Sequence, residues 1–237
     1  MYVIFFLLLL TGFYFMLPKE ILFQSKLPVL NAGVQPFSFT DQNGKPFTEK
    51  NVDGKVYVAE YFFTTCKGIC PIMNANMRRV YDTYKNEQEF MIVSHTCMPE
   101  TDSVPLLKDY EIKMINSKLV KNTDGSYKFE LDSAGIFNNT PANSNWFFLT
   151  GNKTNLYKMA RESYLIDNNK PDSMQNIADQ FIHTQFFALV DKYQRVRGIY
   201  DGLNEGEIQK LLKDIKELLK EKVTSKRFMN GFSNNPG

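Results

Sequence analysis

Residues 62–71 read FFTTCKGICP, an apolar run that ends in two cysteines, Cys66 and Cys70, with three residues between them and Pro71 directly after. Side chains four apart on a helical turn lie roughly 5–6 Å from each other, close enough for a disulfide or a shared soft ion. Three uses compete: a dithiol that cycles to a disulfide, a pair of soft metal ligands, and two inert thiols in a core. The turn Lys67-Gly68-Ile69 makes a poor core and a good rim, and Gly68 lets the loop relax around a ligand. The common dithiol redox motif has two intervening residues, one fewer than here. The remaining candidates are weaker taken singly. Cys97 reads as a small buried hydrophobe, His95 as a hydrogen-bonded strand-end residue and Met98 as space-filling, while a lone histidine such as His183 is more often packed or exposed than a ligand.

The elements that must hold these residues follow from periodicity. KVYVAEYFF (55–63) is β-branched and aromatic, as a largely buried central strand requires, and the dithiol sits at its C-terminal end. Pro71 suits the first turn of a helix carrying Met73, Met77, Val80, Tyr81 and Tyr84 on one face. EFMIVSHT (89–96) is a second strand, and Asp102 is a natural N-cap for a helix bearing Leu106, Leu107 and Tyr110. Residues 116–144 are rich in Asn, Ser, Asp and Gly and read as an inserted surface excursion, with a hairpin signal at Asp124-Gly125. NWFFLTGN (145–152) is the next strand and turn, followed by a short helix through Tyr157 and Met159. FIHTQFFALVDKYQRVRGIYDG then gives two strands that turn near Lys192–Gln194, with His183 just ahead of the first. The last helix presents Ile208, Leu211, Leu212, Ile215, Leu218 and Leu219 on one face. Asn43-Gly44 between two phenylalanine-bearing runs marks a hairpin ahead of all this. That order is α/β, a thioredoxin-like fold with an additional N-terminal β-hairpin. At such a strand-to-helix junction the helix N-terminus favours negative charge, so the thiols of Cys66 and Cys70 are expected to be acidified.

With 237 residues, 43% of them hydrophobic, the chain supports one sizeable core. Its formal net charge of +2, from 28 basic and 26 acidic side chains, argues against nucleic acid as a partner. Met1 to Leu17 carry no charged side chain. The expected organisation is a membrane signal anchor at 1–17, a tether at 18–34, the folded domain at 35–223 and a flexible tail at 224–237. A helix of that length reaches roughly 25 Å, workable with local thinning of a ~30 Å hydrocarbon core. A cleaved signal peptide and a buried core helix are the alternatives, the first disfavoured because no small-x-small cleavage site follows.

Taken together and in order, TTCKGICP after a strand, PETDSVPLLKDY, NWFFLTG and IHTQFFALVD resemble the Sco/SenC family, over about residues 35–220. The resemblance implies a thioredoxin-like, membrane-anchored protein that faces the extracytoplasmic (periplasmic) side of the cytoplasmic membrane. It implies delivery of copper to the CuA centre of cytochrome c oxidase, with Cys66, Cys70 and His183 as the copper ligands. The chain departs from the family in having Met98 where many members have an acidic residue before the proline, and in the length of its excursion. Two thiolates and an imidazole are a soft set that suits Cu(I), and the nitrogen keeps Cu(II) acceptable; too few ligands remain to close a structural zinc site. A metallochaperone is therefore expected. The alternative is a thiol–disulfide oxidoreductase that reduces the cysteines of a copper acceptor, Cys66 attacking and Cys70 resolving. A distant histidine discriminates between them, since plain dithiol exchange has no use for it.

Overall fold

The structure, a computed structural model, describes residues 2–16, 25–123, 125, 127–130, 145–167 and 184–222. His183, the rest of the proposed tether at 18–24, much of the excursion at 131–144 and the tail at 224–237 lie outside the described residues.

Two strands with seven consecutive buried residues form the centre: β3 (Val56–Phe62) and β4 (Phe90–Thr96). They pair in parallel from Val56↔Phe90 to Phe62↔Thr96. Parallel strands covered on both faces need apolar side chains in both directions, which explains why VYVAEYF and FMIVSHT show no polar alternation. β7 (Trp146–Leu149) adds to β4 in parallel, and β8 (Phe186–Val190) and β9 (Val196–Asp201) add antiparallel beyond β3. The strand order is β7-β4-β3-β8-β9.

Each face of this sheet has its own core. Toward one, Val56, Val58 and Phe62 of β3 meet α2 (Cys70–Tyr84), α3 (Val104–Asn116) and α5 (Glu205–Lys220). All five residues expected on the α2 stripe, Met73, Met77, Val80, Tyr81 and Tyr84, are buried. α5 buries Ile208, Leu211, Ile215 and Leu218 fully and Leu212 and Leu219 partly, and Asn204 caps it by accepting from the Gly206 and Glu207 N–H groups (2.9 and 3.3 Å). Toward the other face, Tyr57, Ala59 and Tyr61 pack against α4 (Lys153–Lys158), the π-helical turn Met159–Ser163 and the hairpin of β1 (Ser38–Thr40) and β2 (Pro46–Thr48). That hairpin turns at Gly44, whose φ of +74° explains the Asn-Gly signal, and Thr40 joins it to the main body through two hydrogen bonds of 2.9 Å with Thr150.

Two local expectations change, those for Asp102 and for residues 25–34, and the hairpin signal at Asp124-Gly125 holds. Asp102 does not cap α3; Ser103 is the N-cap, without a side-chain bond, and Leu106 is exposed. Part of the excursion is ordered as a second hairpin, β5 (Lys118–Lys121) with β6 (Tyr127–Glu130), whose Tyr127 ring lies 4.2 Å from the Arg79 guanidinium. Residues 25–34, read as tether, run along the edge of the domain. The Leu30 and Val34 N–H groups donate to Val196 and Gln194 carbonyls (both 2.8 Å), and buried Arg197 donates to the Leu27 carbonyl at 2.7 Å while pairing with Asp191 at 2.8 Å. The edge strand β9 offered unpaired backbone groups, and the chain ahead of the domain satisfies them.

α1 (Tyr2–Met16) is a 15-residue helix whose residues 2–12 are all exposed. Among the described residues no helix is long and apolar enough to cross a membrane.

Candidate metal and dithiol site

β3 ends at Phe62, and the chain turns through Thr64 and Thr65 before α2 starts at Cys70, with Pro71 in its first turn. The two cysteines therefore do not share a helical turn. Cys66 lies in the loop, half-buried, and Cys70 opens the helix, 5% exposed. Both are thiols, Cys66 packs against the core cluster that contains Cys70, and the two interact electrostatically. Lys67 and Gly68 are exposed, as a rim requires.

The expected acidification does not hold for Cys70. Burial pushes its thiol well above the ordinary value, the hydrogen bond and charge interaction with Cys66 add to this, and a hydrogen bond from the Phe63 backbone acts the other way. The helix N-terminus contributes partial charge at the surface of α2, whereas losing water costs the thiolate more. The pair is thus asymmetric: an accessible sulfur in a loop and a shielded one beneath it.

β4 ends beside this loop, its Cys97 N–H donating to the Phe62 carbonyl at 2.8 Å. Cys97 is 2% exposed, accepts at its carbonyl from the Tyr157 hydroxyl (3.0 Å), and belongs to the core on the opposite sheet face from Cys70. Burial raises its thiol pKa too. His95 is fully buried on that same opposite face, stacked on Tyr61 (centroids 5.0 Å apart) and 3.3 Å from the Tyr164 hydroxyl through Nε2. Burial lowers its pKa to about 3, so the ring stays neutral. Both residues are core, as their types suggested. Met98 sits in the turn after β4, its N–H donating to Thr96 Oγ1 at 2.9 Å.

His183 lies outside the described residues. Thr184, the next residue, lies two residues ahead of β8, and the register Tyr57↔Val190, Ala59↔Ala188 brings the start of β8 to the edge where β3 ends. Among the described residues, no group of three or more His, Cys, Asp or Glu side chains is placed to hold a metal ion.

Two buried carboxyls near the pair were missed in the sequence. Glu60, on β3, points into the α2 face; Ser94 Oγ donates to its Oε1 at 2.6 Å, while Oε2 has no hydrogen-bond partner among the described residues. Burial raises its pKa to about 8. The available signal was an acid in the middle of an otherwise apolar run, VYVAEYFF. Asp102 reaches across to Thr64 and Thr96. Its cap-like position next to a helix masked that role.

The SCO1/SenC family model matches residues 28–126 and 138–220. The chain belongs to the SCO1/SenC family. It is 29% identical over 189 residues to the SCO1 protein homolog of Bacillus subtilis, covering 79% of this chain and 83% of that one. Among solved structures it is similar to BsSco, a member of the Sco family of cytochrome c oxidase assembly proteins in which a disulfide switch was identified, at 27% identity and a TM-score of 0.61, over 84% of this chain and all of BsSco. It also shares the fold of yeast Sco1, solved with copper bound, at 21% identity and a TM-score of 0.53, over 85% of this chain and 94% of that one. The thioredoxin-like architecture expected from the element order is therefore the fold of this Sco domain.

Proposed function

We propose that this Sco-family protein is a membrane-anchored copper metallochaperone, in which Cys66, Cys70 and His183 hold copper as cargo and deliver it to the CuA site of cytochrome c oxidase. The observation that carries the reading is the placement of Cys66 and Cys70 together at the edge where β8 begins, three residues after His183. Two soft sulfurs suit Cu(I), and a nitrogen from a separate segment completes three-coordination while leaving room for an acceptor's ligand. Membership in the family, the oxidase-assembly role given for BsSco and the copper carried by yeast Sco1 support it. Binding removes protons from both thiols, and the raised pKa of Cys70 makes that step strongly pH-dependent. The exposed apolar helix α1 supports the anchor at 1–17, with the domain on the extracytoplasmic side.

The asymmetry of the pair favours a second reading. A half-exposed Cys66 can attack a partner's disulfide and a shielded Cys70 can resolve the mixed disulfide, the division of labour of a thiol–disulfide oxidoreductase. His183→Ala separates the two. As a carrier, the variant retains much of its Cu(I) binding, holds Cu(II) far less stably and fails to assemble CuA under limiting copper. Normal assembly in that strain, with Cys66→Ala still defective, would overturn the carrier. A cytoplasm-only reporter fused after Gly237 is expected to be inactive; activity would overturn the proposed location.

A further inference from the structure

We propose that Asp102 is a positioning residue for the dithiol: its carboxylate ties the loop that carries Cys66 to the end of β4 and so keeps the two sulfurs within reach of each other. The proposal rests on the reading of Cys66 and Cys70 as the working pair.

Asp102 is fully buried. One oxygen accepts from the Thr64 hydroxyl at 2.6 Å, and the other accepts from the Thr64 N–H at 3.3 Å and from the Thr96 hydroxyl. Thr96 Oγ1 in turn accepts from the Met98 N–H at 2.9 Å, and the Asp102 N–H donates to the Met98 carbonyl at 2.9 Å. Among the described residues no basic side chain pairs with this carboxylate. A buried carboxylate satisfied by neutral donors alone is costly to keep.

The rest of the fold does not call for it. The β3–β4 ladder is complete from Val56 to Phe62, and the Cys97 N–H extends it. α3 begins at Val104 without using Asp102 as its cap. What the carboxylate adds is a fixed point at Thr64, two residues before Cys66. Among the described residues, the backbone of 64–68 is otherwise held by one bond, from the Cys66 N–H to the Phe63 carbonyl at 3.2 Å. A loop freed at Thr64 samples more conformations, and closing the Cys66–Cys70 disulfide then costs more entropy.

The test uses the copper-free protein and glutathione disulfide, following the balanced exchange in which the protein dithiol plus one oxidised glutathione gives the protein disulfide plus two reduced glutathiones. Thr64→Val and Asp102→Asn are each expected to lower its equilibrium constant about tenfold, the scale of a lost charge-assisted hydrogen bond. The double variant is expected to fall no further than the larger single effect. Tyr200→Phe, which loses a 2.8 Å bond to Asp214 on the α5 side, serves as the control for general destabilisation and should lower Tm without moving the constant. An unchanged or raised constant in Thr64→Val, additive losses in the double variant, or an equal fall in Tyr200→Phe would each overturn the positioning role. A wild-type protein that forms no Cys66–Cys70 disulfide would instead overturn the reading of the pair, and the proposal with it.

Discussion

The two faces of the central sheet hold the same chemical ingredients and put them to different uses. Under α2 lie Cys70 and Glu60; under the hairpin and α4 lie Cys97 and His95. Both thiols are buried with raised pKa values, and among the described residues both titratable partners keep one atom without a hydrogen bond, Glu60 Oε2 and His95 Nδ1. The difference lies at the edge. On the α2 side a loop places the half-exposed Cys66 against Cys70. On the other side Tyr61, Tyr164 and Phe39 rings surround His95, and the Tyr157 hydroxyl binds the Cys97 carbonyl. Burial by itself therefore does not distinguish the two faces; a second soft donor close to the same sulfur, on a partly exposed loop, does.

The sharpest way to break this comparison is to remove one thiol from each face. Cys70→Ala is expected to weaken Cu(I) binding by more than about a hundredfold, beyond the roughly 10–100-fold typical of changes behind a ligand. Cys97→Ala should leave affinity within about threefold and cost about 1 kcal/mol of stability for the lost packing. Competition titration with a Cu(I) chelator measures both, and comparable losses would erase the distinction between the faces.

The two titratable groups sharpen it through pH. Glu60 has a folded pKa raised to about 8, so the folded state holds its proton more tightly than the unfolded one. Its contribution is fully present below the unfolded value of 4.5 and is lost as pH rises toward 8, by several kcal/mol at about 1.4 kcal/mol per unit. His95 behaves oppositely. With its folded pKa lowered to about 3 from 6.5, it contributes stability above pH 6.5 that is lost as pH falls toward 3. Between 4.5 and 6.5 the two oppose each other. Above 6.5 the Glu60 slope stands without the histidine's, and denaturant unfolding of wild type should show falling stability from pH 6.5 to 8, a decline that Glu60→Gln abolishes.

A smaller effect is expected from His95→Phe. The ring keeps its stack on Tyr61 and loses a 3.3 Å contact to Tyr164, so stability at pH 7 should change by about 1 kcal/mol or less. Without the histidine the Glu60 slope acts alone, so between pH 6.5 and 4.5 stability should rise as pH falls, and the His95 acid limb, exposed in wild type between pH 4.5 and 3, should vanish. Persistence of that limb would assign it to another group. The smallest effect belongs to Lys67, exposed on the loop. Lys67→Ala is expected to shift Cu(I) affinity by less than about threefold, since a solvated charge is screened. A larger loss would mean that the lysine stabilises the thiolates directly.

Much of the fold was legible because its signals are local. β-branched and aromatic runs marked β3 and β4, the Met73-to-Tyr84 stripe marked α2, Asn43-Gly44 marked a hairpin, and Ile208-to-Leu218 marked α5. The Cys66–Cys70 spacing and Pro71 likewise marked the dithiol, and the ordered motifs marked the Sco family. What the sequence could not determine depended on which face a side chain meets and how much water it keeps. Propensity made Asp102 a cap, and the tertiary fold instead turned it toward Thr64 and Thr96 because β3 and β4 end side by side. Helix-terminus electrostatics suggested an acidic Cys70, and packing under α2 raised its pKa because desolvation outweighs a partial charge. Residues 25–34 carried no strand pattern, yet β9 captured them through its open edge and Arg197. Periodicity along a chain determines elements; burial and partner choice are settled only when distant segments close around one another.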